Sequence, residues 1–449
     1  MLPLFRGRAH AAKAVGNAFP AFESFRGLDN AEFHMRKPVI LVCGSDAVRG
    51  PGGHQTLVRA TARAVANAGF DPHVFCVAPR SAVVEAAFGV VHYVASPFRT
   101  VRHKTIRWHG PLISSAIRRV LNGQPGPHLI HGFGVWGWVA VDASKKLERA
   151  GQAATPIVSV YDTIAHETGP QVRRLEPASG WWRRTRYHRQ LISNQFLMRR
   201  PERYAFTRAR LLMMNYESVR RQIVESYGDR LDLRIMPYSS ETAFLHESVG
   251  RLSGSTIPIA IGSLQNQDAP LIVAASRHSP RKGVHILIHA LAQLHRSGVR
   301  FRACLVGGWD LVDTHRRLAD SLGLSGLVAI TGHVPDSFEY IRCADIFVLP
   351  SLEEGSGSIS MIEAMQAGAA IVASNVDGIP EDVAHNQNAL LVEPGIAVDL
   401  SAAIGRLIAD PNLRNRLASS ATRRFTEKFS PAIFTDALAR LYAELGFTP

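Results

Sequence analysis

Short apolar runs recur along the chain, and stretches with helical spacing separate them. In the first half the runs read "PVILVCG", "DPHVFCVA", "VVHYVA", "HLIHGF", "PIVSVYD", "ARLLMMN" and "DLRIMPY". They are rich in β-branched residues and do not alternate with polar positions, as expected of parallel strands buried on both faces. Between the first two lies "HQTLVRATARAVANAG", with apolar positions at helical spacing and a stop at Gly69. Residues 249–269 break the rhythm and read as a linker. The alternation then restarts with "PLIVAAS", "RACLVGG", "LVAITG", "ADIFVLP", "AAIVAS" and "ALLVEP", again divided by helical stretches.

This pattern predicts an α/β protein with two Rossmann-like domains in series, each a doubly wound parallel sheet. The first is expected over 37–248 and the second over 270–429. A final amphipathic helix in 430–449 is expected to cross back to the first domain, and residues 1–36, with little periodicity, to be a poorly ordered tail. Such sheets bind ligands outside the carboxyl ends of their strands. Two of them facing one another would leave a cleft there.

At 449 residues, 46% of them hydrophobic, the chain has material for two cores. No apolar run reaches the roughly 18 residues a membrane helix needs, and the start lacks the apolar stretch and cleavage site of a leader. The four cysteines are scattered without metal-ligand spacing, which suits reduced, buried thiols. The net charge of +14 is unevenly placed: residues 1–250 hold 34 Lys and Arg against 18 Asp and Glu, and residues 251–449 hold 17 against 19. A basic first half implies an anionic partner there. Its densest part, 172–210, has eleven Arg against two Glu with Trp181, Trp182, Tyr187 and Phe196 interspersed. That composition suits a membrane interface or a polyanion, and equally a solvated connector. No nucleic-acid recognition motif accompanies it.

Three motifs fall at expected strand ends. In "ASRHSPRKGVHIL" Arg277 leaves the strand, and Lys282 follows a Pro-containing turn before Gly283. A planar guanidinium and a point-charge ammonium flanking one turn suit a diphosphate, although two solvated cations are the plainer alternative. In "EEGSGSISMIEAM" the small residues Gly355, Ser356, Gly357 and Ser358 allow close backbone approach to a ligand. The helix expected from about Ser360 turns its positive end to a phosphate. Glu354 and Glu363 would accept hydrogen bonds from sugar or ribose hydroxyls, but Ser360-x-x-Glu363 also fits a capping box. In "GPGGHQTLVRA" Gly52 and Gly53 sit between the first strand and first helix, without the dinucleotide fingerprint.

These motifs, with "LMMNYESVRRQIVESYG", "CLVGGWD", "ITGHV", "ADIFVLPSLEEGSGSISMIEAMQAGAAIVASNVDGIPEDV" and "RFTEKFSPAIFTDALARLY", resemble the GT-B-fold retaining glycosyltransferases of family 4 (glycosyltransferase group 1) over about residues 38–446. The resemblance implies a hexosyltransferase that moves a sugar from a UDP- or GDP-linked donor to a glycan or lipid-linked acceptor, with no cofactor and no metal. It assigns Arg277 and Lys282 to the donor diphosphate and Glu354 to the donor sugar. Glu363 falls on the ribose, and Gly332 and Val334 lie by the base. The segment Gly355, Ser356, Gly357, Ser358 and Ile359 lines the donor, and Gly52 and Gly53 face donor and acceptor. Arg277, Lys282 and Glu354 would be the catalytic set, stabilising the leaving diphosphate. A cytoplasmic place on the inner face of the cell membrane follows from such an acceptor.

The chain departs from the family's pattern in two places. Eight residues lie between Glu354 and Glu363, one more than usual. Phe133 and Tyr161 stand where many relatives have histidine, leaving His131, Asp162 and His166 as acceptor-side candidates. These departures keep a second expectation open, a GT-B-shaped protein that binds a nucleotide-sugar or glycan without transferring it.

Overall fold

The computed structural model describes residues 36–449 apart from 49, 51, 97–105, 247–248, 251–256 and, save for Thr185, Arg189 and Ile192, 165–196. The tail up to residue 35, His166, part of the linker and most of the Arg-rich stretch therefore lie outside the described residues.

The first sheet has eight strands: β1 (Pro38–Gly44), β2 (Asp71–Ala78), β3 (Ala82–Ala86), β4 (Gly89–Ala95), β5 (His128–Phe133), β6 (Ala154–Ser159), β7 (Leu211–Met214) and β8 (Leu233–Ile235). Their spatial order is β3-β4-β2-β1-β5-β6-β7-β8. Every pairing is parallel except β3 with β4. That antiparallel edge was not expected. Its run "AVVEA" is mostly exposed and reads continuously with the strand after it, so nothing in the pattern separates the two.

The second sheet has six strands: β9 (Leu271–Ala275), β10 (Arg302–Val306), β11 (Val328–Gly332), β12 (Ile346–Leu349), β13 (Ala370–Ser374) and β14 (Leu390–Val392). Their order is β11-β10-β9-β12-β13-β14, and all pairings are parallel. The chain leaves β9 first to one side and then to the other, so the switch point lies between β9 and β12. Those two strands pair only at Ile346 with Ile272 and Phe347 with Val273. Beyond Phe347 they part, which opens a crevice at their carboxyl ends, where such sheets take ligands.

The central strands are buried along their length. All five residues of β9 and β13 and all four of β12 are buried. One apolar cluster runs from Val158, Leu212 and Met214 of the first sheet to Val273, Phe347 and Ile371 of the second. The helix Pro431–Glu444 sets Phe434, Leu438, Leu441 and Tyr442 into a first-sheet cluster with Val39, Leu41 and Phe70. The four cysteines carry no disulfide, yet the fold brings two of them together. Cys43 on β1 and Cys76 on β2, 33 residues apart in the chain, have their sulfurs 3.3 Å apart.

Candidate active site

The loops after β9 and β12 leave the sheet on either side of the switch point, and they touch. Gly283 has a φ of 61°, and a Cβ there would lie 1.9 Å from the Pro350 carbonyl oxygen, so only glycine lets the two loops cross. The Leu352 N–H donates to the Arg281 carbonyl at 2.8 Å. This crossing places Lys282 against the acid loop. Its Nζ donates to Glu354 Oε1 at 2.6 Å and Oε2 at 2.5 Å, and the Ser351 hydroxyl bonds the same carboxylate. The Lys282 and Glu354 side chains are only 11% and 3% exposed. Burial pushes the Lys282 ammonium below its usual range, and the Glu354 charge opposes that push. Arg277 is exposed at the end of β9, its guanidinium 5.3 Å from the centre of the Trp309 ring.

The structure decides between the two readings of Glu363. Its helix is Ile359–Ala367, with Ser358 in the cap position and no side-chain cap bond. Ser360 is therefore inside the helix and the capping box does not form. Glu363 instead points away from its own backbone, and Thr242 Oγ1 donates to its Oε1 at 2.6 Å. Burial raises this carboxyl to about 7, with the Thr242 bond working against the rise. The helix start faces the loop as expected, one residue earlier than the sequence suggested.

The small-residue loop is held by a residue that sequence reasoning missed. The N–H groups of Glu354 and Gly355 both donate to Asp377 Oδ2, at 2.6 and 2.8 Å. Asp377 has a φ of 48°, rare for a non-glycine residue. The only sequence signal was the turn-forming "NVDG". Ser356 accepts the Gly378 N–H at 3.2 Å. Gly357 lies against Tyr216, whose hydroxyl donates to Asp382 at 2.5 Å, and Lys428 pairs with the other Asp382 oxygen at 2.9 Å. Ser358 is buried and Ile359 half-buried. Across the crevice Gly332 ends β11 and accepts the Gly307 N–H at 3.0 Å, with Val334 half-buried two residues on.

On the first sheet Gly52 and Gly53 are exposed at the start of the helix Gly53–Asn67, as an open approach requires. Of the acceptor-side candidates, Asp162 lies beside the acid loop: a Cβ on Gly355 would lie 2.6 Å from its Oδ2. His131 corrects the expectation that it faces an acceptor. It is fully buried, with Nε2 2.7 Å from Ser159 Oγ and Nδ1 3.3 Å from the Tyr442 hydroxyl. Burial lowers it to about 3, so it is neutral and ties β5 and β6 to the C-terminal helix. Its ring stacks on Phe133 at 4.7 Å, and the His54 ring stands edge-on to Phe133 at 6.2 Å. His54 was overlooked because it follows the glycines at a helix start, without a motif of its own. Tyr161 turns into the core, and burial pushes it up to about 12. Among the described residues no group of three or more His, Cys, Asp or Glu is placed to hold a metal ion.

Two facing parallel sheets, with cations and acids at the carboxyl ends of the second, define a GT-B protein. Residues 51–238 match the model for glycosyltransferase family 4, and residues 259–424 match that for glycosyl transferases group 1. Between them the two matches span most of the chain, which belongs to the group 1 glycosyltransferases. It is 33% identical over 176 residues to a lipopolysaccharide core biosynthesis glycosyltransferase, LpsE, of Rhizobium meliloti, covering 39% of this chain and 50% of that protein. The chain thus spans about half the length of the first curated relatives it matches. In fold it is similar to sucrose-phosphate synthase from Thermosynechococcus elongatus (TM-score 0.69, 21% identity, 92% of this chain and 99% of that one). It is likewise similar to Anabaena HepE in complex with UDP-glucose (TM-score 0.61, 18% identity, 90% and 99%).

Proposed function

We propose that this chain transfers a sugar, with retention, from a UDP- or GDP-linked donor to a glycan or lipid-linked acceptor of the cell envelope. The observation that carries this reading is the Lys282–Glu354 clamp beside Arg277 at the β9/β12 switch point. An ammonium has three N–H donors. Two of those on Lys282 go to Glu354, which fixes the direction of the third, and a phosphate oxygen is a fitting partner for it. Arg277 adds a bidentate donor to the same diphosphate. Charge that develops on the leaving group would then meet positive groups already held in place, the largest usual term in such catalysis. Glu363, about half protonated near pH 7, could either donate to or accept from a ribose hydroxyl. Asp162, beside Gly355, is the acceptor-side group best placed to orient an incoming hydroxyl. The leaving phosphate would take that hydroxyl's proton on the same face of the sugar, without an enzyme base and without a metal.

The relative LpsE, named for lipopolysaccharide core biosynthesis, supports the envelope assignment, and HepE with UDP-glucose supports the donor class. The helix Ile106–Leu121 supports a place at an anionic membrane face on the cytoplasmic side. It exposes Trp108 (67%) and Leu112 (42%) one turn apart, beside Arg107, Arg118 and Arg119, and contains no acid. No helix among the described residues is long and apolar enough to cross a membrane.

The test is a thermal-shift screen against UDP-, GDP- and ADP-sugars, followed by product analysis with the stabilising donor. One nucleotide class should raise the melting temperature, and the product should keep the donor's anomeric configuration. Stabilisation without transfer or hydrolysis would favour the second reading, a binding protein that does no chemistry. The lengthened loop between Glu354 and Glu363 is what keeps that reading in view. Sedimentation with anionic against neutral vesicles tests the membrane face; equal binding to both at low salt would remove it.

A further inference from the structure

Trp309 is 57% exposed, although it stands at the ligand-binding edge of the second sheet. Its φ is 130°, a backbone setting that non-glycine residues rarely adopt and that persists where the surroundings enforce it. The enforcement is visible. The preceding Gly307 N–H donates to the Gly332 carbonyl, and the Gly308 carbonyl accepts the His278 N–H at 2.9 Å. The loop after β10 is thereby knitted to the ends of both β9 and β11. A Cβ on Gly308 would lie 3.1 Å from His333 Cβ, so the loop that carries Trp309 packs against His333, between Gly332 and Val334. The Arg277 guanidinium lies over the Trp309 ring, 5.3 Å from its centre. A strained, exposed indole fixed beside the cation expected to take a diphosphate is a surface for whatever flat group that diphosphate carries.

We propose that Trp309 is a donor-site platform that holds Arg277 over its ring and receives the donor's nucleoside on its exposed surface. The proposal rests on the nucleotide-sugar reading above and adds a recognition element to it. Aromatic rings bind nucleobases through stacking with little dependence on base identity, and a cation held over the ring needs less ordering when the phosphate arrives. The platform would therefore supply affinity for the nucleoside, while the backbone around Gly332 supplies the choice of base.

The test is calorimetric titration of the full chain with UDP, GDP and ADP, and with inorganic pyrophosphate as a displacing ligand. It compares wild type, Trp309→Leu, Trp309→Phe and Arg277→Ala. For the nucleotide that wild type binds, Trp309→Leu should weaken affinity about tenfold, and Trp309→Phe should stay within about threefold. Pyrophosphate should lose markedly less than the nucleotide in Trp309→Leu, but as much in Arg277→Ala. Two outcomes overturn the proposal: Trp309→Leu binds nucleotide as wild type does, or it loses nucleotide and pyrophosphate by the same factor. In the second case the ring serves Arg277 alone. Failure of wild type to bind any of the three nucleotides would instead bring down the donor reading on which the proposal rests. An unchanged melting temperature of ligand-free Trp309→Leu shows that the fold is intact.

Discussion

At the end of β5 the first sheet presents Phe133, fully buried between the rings of His131 and His54. Beyond the end of β12 the second presents Glu354, which accepts from both the Lys282 ammonium and the Ser351 hydroxyl. The contrast runs against net charge. The first half carries the excess of cations, but two of those beside its glycine loop, Arg59 and Arg63, pair with Glu241. The second half is nearly neutral, yet two of its cations, Arg277 and Lys282, stand at the crevice. Net charge of a half reports what it meets at long range; the site depends on a few charges held at strand ends. In chemical terms the sheet ends are unequal partners. On the proposed reading the second would bind and activate a charged leaving group, while the first offers an aromatic wall with Asp162, Gln222 and Thr242 as polar groups at the acid loop and its helix.

The sharpest way to break this comparison is Lys282→Ala. It should lower kcat/KM for transfer by at least about a thousandfold. It should also cost roughly 3–5 kcal/mol of stability by leaving Glu354 buried without its partner. Activity assays and denaturant unfolding would read the two effects apart, because adding Glu354→Gln should recover stability and not activity. Near-normal transfer by Lys282→Ala would mean that the second sheet is not the chemical side. Arg277→Ala, at an exposed position, should cost about a hundredfold in kcat with a melting temperature close to wild type.

Glu363 allows a smaller, pH-resolved test. Its carboxyl is raised from 4.5 to about 7 in the folded chain, so the folded state holds the proton more tightly than the unfolded one. The stabilisation is thus fully present below about pH 4.5 and is lost as pH rises through about 7, a change of roughly 3 kcal/mol. Unfolding measured at pH 5 and pH 8 should show the slope, and Glu363→Gln should flatten it. The smallest effect belongs to the first sheet. His131→Gln should leave kcat within about threefold, with a cost of about 1 kcal/mol in stability from its lost bonds. A large loss of kcat with a normal fold would return the first sheet to the chemistry.

Much of this was legible before the fold was known, for a physical reason. Strands buried on both faces must be apolar runs, and loops that let backbone approach a ligand must be small, so "PLIVAAS", "ADIFVLP" and "GSGS" announce themselves. What stayed hidden were partners far apart in the chain. Thr242 and Glu363 are 121 residues apart, and Asp377 lies 23 residues beyond the Glu354 amide it holds. The capping box misled because Ser-x-x-Glu is a local pattern, whereas the helix start was set one residue earlier by how the loop is anchored. His131 looked like chemistry because a histidine at a strand end often is. Its full burial, with partners in Ser159 and in Tyr442 near the other end of the sequence, shows it to be core.

That same position bears on how the protein is made. The helix Pro431–Glu444 covers Val39, Leu41 and Phe70, which are synthesised well before it, and it follows the whole second sheet in sequence. The first domain must therefore wait, with an apolar face open, until the second has been synthesised. A fragment ending at the linker would keep that face exposed and tend to aggregate. The two halves are thus coupled in time by the helix that closes the first.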